Sequence, residues 1–345
     1  MNPLFKQLMG QASRLTLTGD LGAATAAIQD ALAQRTAKAD PTVIDVVARE
    51  VHGPGQAPPT APAAGRFLRA THAETIGTRD YKLYVPPTYT GQPLPLVVML
   101  HGCTQDPDDF AAGTGMNDAA LADGFFVLYP AQSQQGNPQR CWNWFKHNHQ
   151  QRDRGEPALI ANMTREVMKQ YNIDPGQVYA AGLSAGGAMA AILGEAYPDL
   201  FMAVGVHSGL PVGCARDVNG ALMAMKNGAP RTASRKQTTP APTIVFHGDR
   251  DTTVHPVNGE HVVATLAAGT VVEQEHVRSI RGHAYTRRQH RDAHGKVVAE
   301  HWVVHGSAHA WSGGRAQGSY TDARGPDATR EMLRFFKGHA RLGRR

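Results

Sequence analysis

The stretch GLSAGGAM, residues 182–189, decides how the rest of the chain is read. It follows the apolar run Val178-Tyr179-Ala180-Ala181 and leads into a helical stretch over 185–197. A glycine-rich turn between a strand and a helix would account for its small residues. The G-x-S-x-G spacing fits a sharper account, a strand-to-helix elbow so tight that only small neighbours fit and the serine hydroxyl stands clear of the backbone. Five loosely specified positions recur by chance, so the surroundings of Ser184 have to discriminate.

Working outward, strand-like runs occur at 81–85, 96–100, 125–129, 178–181, 202–206, 243–246 and 301–305. Helical stretches at 158–171, 185–197 and 257–266 separate several of them. Strands that are almost continuously apolar are buried on both faces, which predicts an α/β fold with a mainly parallel central sheet flanked by helices on both faces. Active sites in such sheets form at the carboxyl ends of strands, which is where Ser184 falls. Residues 211–241 show no clear period and interrupt the alternation, so they read as an insertion and a candidate lid.

Toward the N-terminus, residues 1–34 read as an amphipathic helical extension, with Leu4, Leu8 and Leu15 at helical spacing. Residues 35–65 include Gly53-Pro54-Gly55 and Pro58-Pro59 and read as a linker. The catalytic domain is expected over 66–345.

The 345 residues are 41% hydrophobic, enough for one large domain. No apolar run approaches the ~18 residues of a membrane span, and no segment of signal-peptide type is visible, so a cytoplasmic location is expected. The three cysteines share no C-x-x-C spacing, so a structural zinc site is not expected. One disulfide plus a free thiol is compatible with them, without a choice of pair. The net charge of +6 gathers at 231–236, 287–291 and 341–345 without aromatic interleaving. That pattern reads as solvated surface, with attraction toward an anionic surface as the alternative, and no nucleic-acid module accompanies it.

If Ser184 is a nucleophile, it needs a general base and a group to orient that base. In this topology the chain order is serine, acid, histidine, each on a loop after its own strand. The run 243–246 leads into His247-Gly248-Asp249-Arg250-Asp251, and 301–305 leads into Gly306-Ser307-Ala308-His309-Ala310-Trp311. Asp251 is preferred to Asp249 because the acid needs loop length to reach an imidazole. His309 is preferred to His305, which should still lie in the strand. With 17 histidines in the chain a lone histidine near a strand end means little; three residue types in the right order mean more. Oxyanion donors are expected from the backbone N–H of Ala185 and from the loop His101-Gly102-Cys103-Thr104 after the strand at 96–100. There Cys103 would matter for its position rather than its thiol.

Together these motifs resemble the polyhydroxybutyrate depolymerase family of esterases in the α/β-hydrolase superfamily. The resemblance spans most of residues 80–340. It includes Leu100-His101-Gly102-Cys103-Thr104-Gln105, Cys141-Trp142-Asn143-Trp144-Phe145, the box around Ser184, His247-Gly248-Asp249-Arg250-Asp251 and His309-Ala310-Trp311. It implies Ser184 as nucleophile, Asp251 as acid, His309 as base and the Cys103 N–H as an oxyanion donor. It implies attack on short-chain polyhydroxyalkanoate esters or their oligomers, with relatives that cleave feruloyl, acetyl or other small esters. No metal or organic cofactor is implied. The likeness is to intracellular-type members with a catalytic domain and a short N-terminal extension, which points to stored granules, oligomers or small esters. Trp311, two residues past His309, is expected to border the substrate site, with Trp142 and Trp144 as further candidates. The reading from another class is a catalytically silent protein that binds polyester granules through residues 1–34 and the basic surface.

Overall fold

The computed structural model describes residues 64–230, 239–278 and 282–341. The expected helical extension at 1–34, and the linker at 35–65 but for its last two residues, lie outside them. Ten strands form one sheet in the order β1-β2-β4-β3-β5-β6-β7-β10-β9-β8. Six of them are parallel: β4 (Phe126–Pro130), β3 (Leu94–Leu100), β5 (Ile173–Leu183), β6 (Ala203–His207), β7 (Thr243–Gly248) and β10 (Val297–Val304). An antiparallel hairpin closes each end, β1 (Arg66–Glu74) with β2 (Gly77–Val85), and β8 (Val271–Val277) with β9 (Tyr285–Arg291).

Side-chain alternation along β3 shows why the central strands read as unbroken apolar runs. Leu96, Val98 and Leu100 enter the core on one face, while Val97 and Met99 enter the core on the other. The first face is covered by helices α3 (Gly155–Gln170) and α4 (Ala185–Ala196), through residues such as Ile160, Met163 and Leu193. The second is covered by α1 (Pro107–Thr114), α2 (Met116–Asp123) and α7 (Ala328–Lys337), through Phe110, Met116, Met332 and Phe336. Helix α6 (Val257–Ala264) packs Val262 and Val263 on Val206 and Val245. The result is the α/β architecture the apolar runs predict.

The sequence reading missed β1, β8 and β9. Apart from the polar His72 and Thr286 their residues are half-buried or exposed, so no apolar run marks them. Part of the basic cluster at 287–291 proves to be a cross-strand ladder. Arg287 pairs with Glu275 at 2.6 Å and Arg291 with Glu273 at 3.1 Å. The insertion at 211–241 contains helix α5 (Val218–Asn227), with residues 231–238 outside those described. Among the described residues no helix is long and apolar enough to cross a membrane.

Candidate active site

Ser184 sits between the last residue of β5 and the first of α4 with φ 58° and ψ −119°. That conformation is costly for a residue with a side chain, and it persists only where the surroundings over-determine it. Here they do. A Cβ on Gly182 would lie 2.4 Å from the Gly186 backbone, and one on Gly186 would lie 2.0 Å from the Leu100 carbonyl oxygen. Neither position tolerates anything but glycine, so the elbow is locked against β3. The Ser184 N–H donates to the His207 carbonyl at 2.8 Å, which ties the turn to β6 as well.

Ser184 lines a cavity of about 500 Å³ together with His309, Cys103, Cys141, Trp144 and Tyr320. The His309 Nδ1 lies 2.6 Å from Asp251 Oδ2. The other carboxylate oxygen, Oδ1, accepts the backbone N–H groups of Thr253 at 2.9 Å and Val254 at 2.8 Å. Burial alone would raise this carboxyl, but hydrogen bonds from His247, His309 and the Val254 N–H hold it well below the usual carboxylate range. Asp251 is therefore an anion, and His309 Nδ1 carries the proton it donates. That leaves Nε2 as the basic nitrogen of a ring that borders the cavity Ser184 also borders. No hydrogen bond joins the Ser184 hydroxyl to His309 among the described residues. Free enzymes often hold such contacts loosely until substrate arrives.

The rival pair from the sequence, Asp249 and His305, meet each other instead. His305 Nδ1 is 2.9 Å from Asp249 Oδ2, and Asp249 Oδ1 accepts the Gly306 N–H at 2.7 Å. Neither borders the cavity. β10 ends at Val304, so His305 is the first residue past the strand rather than within it.

The loop after β3 comes against the elbow: a Cβ at Gly102 would be 3.6 Å from that of Ser184. Gln105 shapes this loop by accepting the Gly102 N–H at 2.9 Å and donating to Asp109 at 2.8 Å. The Ala185 N–H follows the serine directly and Cys103 lines the same cavity as Ser184, and neither backbone N–H has an acceptor among the described residues. Ala185 is the first residue of α4, where amides have no partner within the helix. Two free donors beside a serine hydroxyl can receive the charge of a tetrahedral oxyanion. His101, buried at the start of this loop, is pushed down to about 4 by burial and stays neutral. His207, buried below the elbow, is pushed down to about 3 for the same reason.

Two of the tryptophans are not where a substrate rim would need them. Trp311 is 1% exposed and belongs to the core. It stacks on His207, meets Phe110 edge-on, and donates its indole N–H to Thr329 at 3.1 Å. Its short strand β11 (Trp311–Ser312) pairs with β12 (Thr321–Asp322) and turns the ring inward. Trp142 is fully buried and donates to the His101 carbonyl at 3.1 Å, so it supports the loop instead of touching substrate. Trp144 does line the cavity. The cavity residues missed from sequence include Tyr320, Asn137, Gln139 and the α5 residues Val218, Ala221, Leu222 and Met225. The reading of 211–241 as a candidate lid covered the α5 residues without singling them out.

Cys103 and Cys141 form a disulfide at a sequence separation of 38, while Cys214 is free and buried. The bridge ties the loop carrying the Cys103 N–H to the loop carrying Trp144. A closed loop of this length stabilises by about 4 kcal/mol in the chain-entropy account. Calorimetry with and without reductant should therefore show a clearly lower melting temperature for the reduced protein; coincident melts would contradict the bridge.

A family model described as "Esterase PHB depolymerase" matches residues 79–270. Poly(3-hydroxyalkanoate) depolymerase C of Paucimonas lemoignei is 30% identical over 256 residues, 69% of this chain and 61% of that protein. Probable acetylxylan esterase A of Aspergillus fumigatus is 31% identical over 228 residues, 59% of each chain. The chain thus spans about three fifths of the length of these relatives. Among solved structures, acetyl xylan esterase from Aspergillus awamori superimposes with a TM-score of 0.62 at 19% identity, covering 79% of this chain and 100% of that one. At that identity the likeness concerns the fold alone.

Proposed function

This chain belongs to the esterase PHB depolymerase family, and from that premise we propose that it is a serine esterase acting on short-chain polyester or its soluble oligomers. The observation that carries the reading is the Asp251–His309 pair, held at 2.6 Å on the cavity that the strained Ser184 elbow also lines. In this reading rotation of the Ser184 side chain brings Oγ to His309 Nε2. His309 takes the proton as Oγ attacks the ester carbonyl, and the Cys103 and Ala185 N–H groups receive the oxyanion. The imidazolium then protonates the leaving alcohol. A water activated by the same nitrogen releases the acid from the acyl-enzyme.

The substrate class is supported by the cavity wall. Val218, Ala221, Leu222 and Met225 of α5 line the cavity with Trp144 and Phe145, an apolar set. A hydroxybutyrate chain carries a methyl branch on every unit and can cover such a wall; an acetyl group on a sugar reaches little of it. Leu222 is 58% exposed in the free protein. Covering that remainder contributes about 1 kcal/mol, or about fivefold in kcat/KM. Leu222→Ser is therefore expected to lower kcat/KM about fivefold on soluble hydroxybutyrate oligomers and to leave a short acetyl ester nearly unchanged. The measurement is a panel of amorphous polyhydroxybutyrate, its oligomers, acetylated xylan and methyl ferulate, run on both proteins. The relation to an acetylxylan esterase favours a second reading, deacetylation of a polysaccharide. Preference for acetylated xylan, with equal losses on all substrates in the variant, would select it.

A further inference from the structure

His247 stands at the end of β7 with its side chain 1% exposed, and the cavity does not reach it. Its Nε2 lies 2.9 Å from the Val254 carbonyl oxygen and 3.3 Å from Asp251 Oδ2, the oxygen that also serves His309. A carbonyl only accepts, so Nε2 carries a proton. That N–H is directed between the carbonyl and the carboxylate. On the far edge of the ring, Nδ1 is buried without a hydrogen-bond partner among the described residues. Helix α6 presses on that edge, where a Cβ at Gly259 would come within 2.9 Å of Nδ1. The ring is therefore clamped between α6 and the turn that carries Asp251, with its donor facing the acid.

We propose that His247 is a positioning residue for Asp251, so that one carboxylate oxygen serves two imidazoles, one turned to the cavity and one behind it. This rests on the reading of Ser184, His309 and Asp251 given above. Two consequences follow from the geometry. The donor behind the carboxylate fixes its rotation toward His309 Nδ1. It also takes up part of the carboxylate charge that His309 would otherwise feel. The other titratable groups near the ring are His301 on β10, whose Nε2 lies 3.2 Å from the same Gly259 Cβ position, and His207 on β6. Burial depresses both, to about 3, so they stay neutral and the carboxylate is the charge that matters. Its depressed carboxyl agrees with a donor on each side.

The test compares His247→Phe, which fills the space without a donor, with His247→Gln, which keeps an N–H. With the donor gone, the carboxylate charge falls more fully on His309, so its imidazolium is favoured and the acid limb of the kcat/KM profile moves to higher pH. For His247→Phe the expected result is a kcat lower by about tenfold with KM little changed, as a loosened catalytic group produces, together with that upward movement. His247→Gln should recover most of kcat and return the limb to the wild-type position. Equal losses in both variants with an unmoved limb would reduce His247 to packing and overturn the proposal. Nitrogen NMR of the wild-type imidazoles supplies an arm independent of variant folding: His247 must hold the Nε2–H tautomer, and an Nδ1–H tautomer overturns the proposal. Labelling of wild-type Ser184 by a fluorophosphonate separates the two levels. Label with an unmoved limb sinks only the role of His247; absence of label sinks the reading of the whole site.

Discussion

Ser184→Ala is expected to remove ester hydrolysis down to the background of the assay, a loss of roughly a million-fold where serine and histidine act as one unit. The variant should fold as the wild type does, because the hydroxyl makes no hydrogen bond that the described fold depends on and a methyl fits wherever Cβ already fits. Its melting temperature should stay within about a degree or two, which separates loss of chemistry from loss of structure. Ser184→Gly extends the test. With φ at 58° and ψ at −119° the backbone is held where a Cβ is penalised, and glycine there relieves a strain of about 1 kcal/mol or more. The glycine variant should be as inactive as alanine and yet more stable than wild type. Retained activity in either would show that another group attacks the ester. An unstabilised glycine variant would show that the elbow is not strained in solution. The pairing of lost activity with gained stability is what a site that stores strain for function should display.

How far the site could be seen in advance depends on what kind of residue carries it. The parallel strands were legible because burial on both faces leaves an apolar run, as in the Val97, Val98 and Met99 of β3. The hairpin β8–β9 was not, since Glu273, Glu275, Arg287 and Arg291 gain their sense only from each other across the ladder. Chain order sufficed to nominate Ser184, Asp251 and His309, because each follows its own strand on the same rim. It could not orient Trp311, whose closeness to His309 in sequence says nothing about a side chain that β11 turns into the core. Helix α5 escaped because half of its apolar residues face a cavity and solvent, which blurs the helical period. The cysteine pairing required coordinates, since spacing alone offers no choice among three thiols.

Asp251→Asn should lower kcat by about ten-thousand-fold while leaving the cavity intact, and the hydrogen bonds say why so small a change costs so much. Oδ1 accepts two backbone N–H groups, from Thr253 and Val254. An asparagine must keep its oxygen there, because its NH2 would meet two donors. The NH2 then replaces Oδ2 and points at His309 and His247. Facing a donor, His309 has to present Nδ1 as an acceptor, which moves its proton to Nε2, the nitrogen that must receive the serine proton. The base is removed by tautomer rather than by displacement, and KM should change little. Stability supplies a second signature. The folded carboxyl lies below its unfolded value, so its contribution is present above the ordinary carboxylate range and is lost as pH falls through and below that range. Asparagine has no such contribution. Urea unfolding should find the variant less stable than wild type at neutral pH, with the gap narrowing on acidification. A gap independent of pH would mean that Asp251 is not the charged, doubly held carboxylate on which the imidazole depends, and activity within tenfold of wild type would mean that His309 needs no such partner.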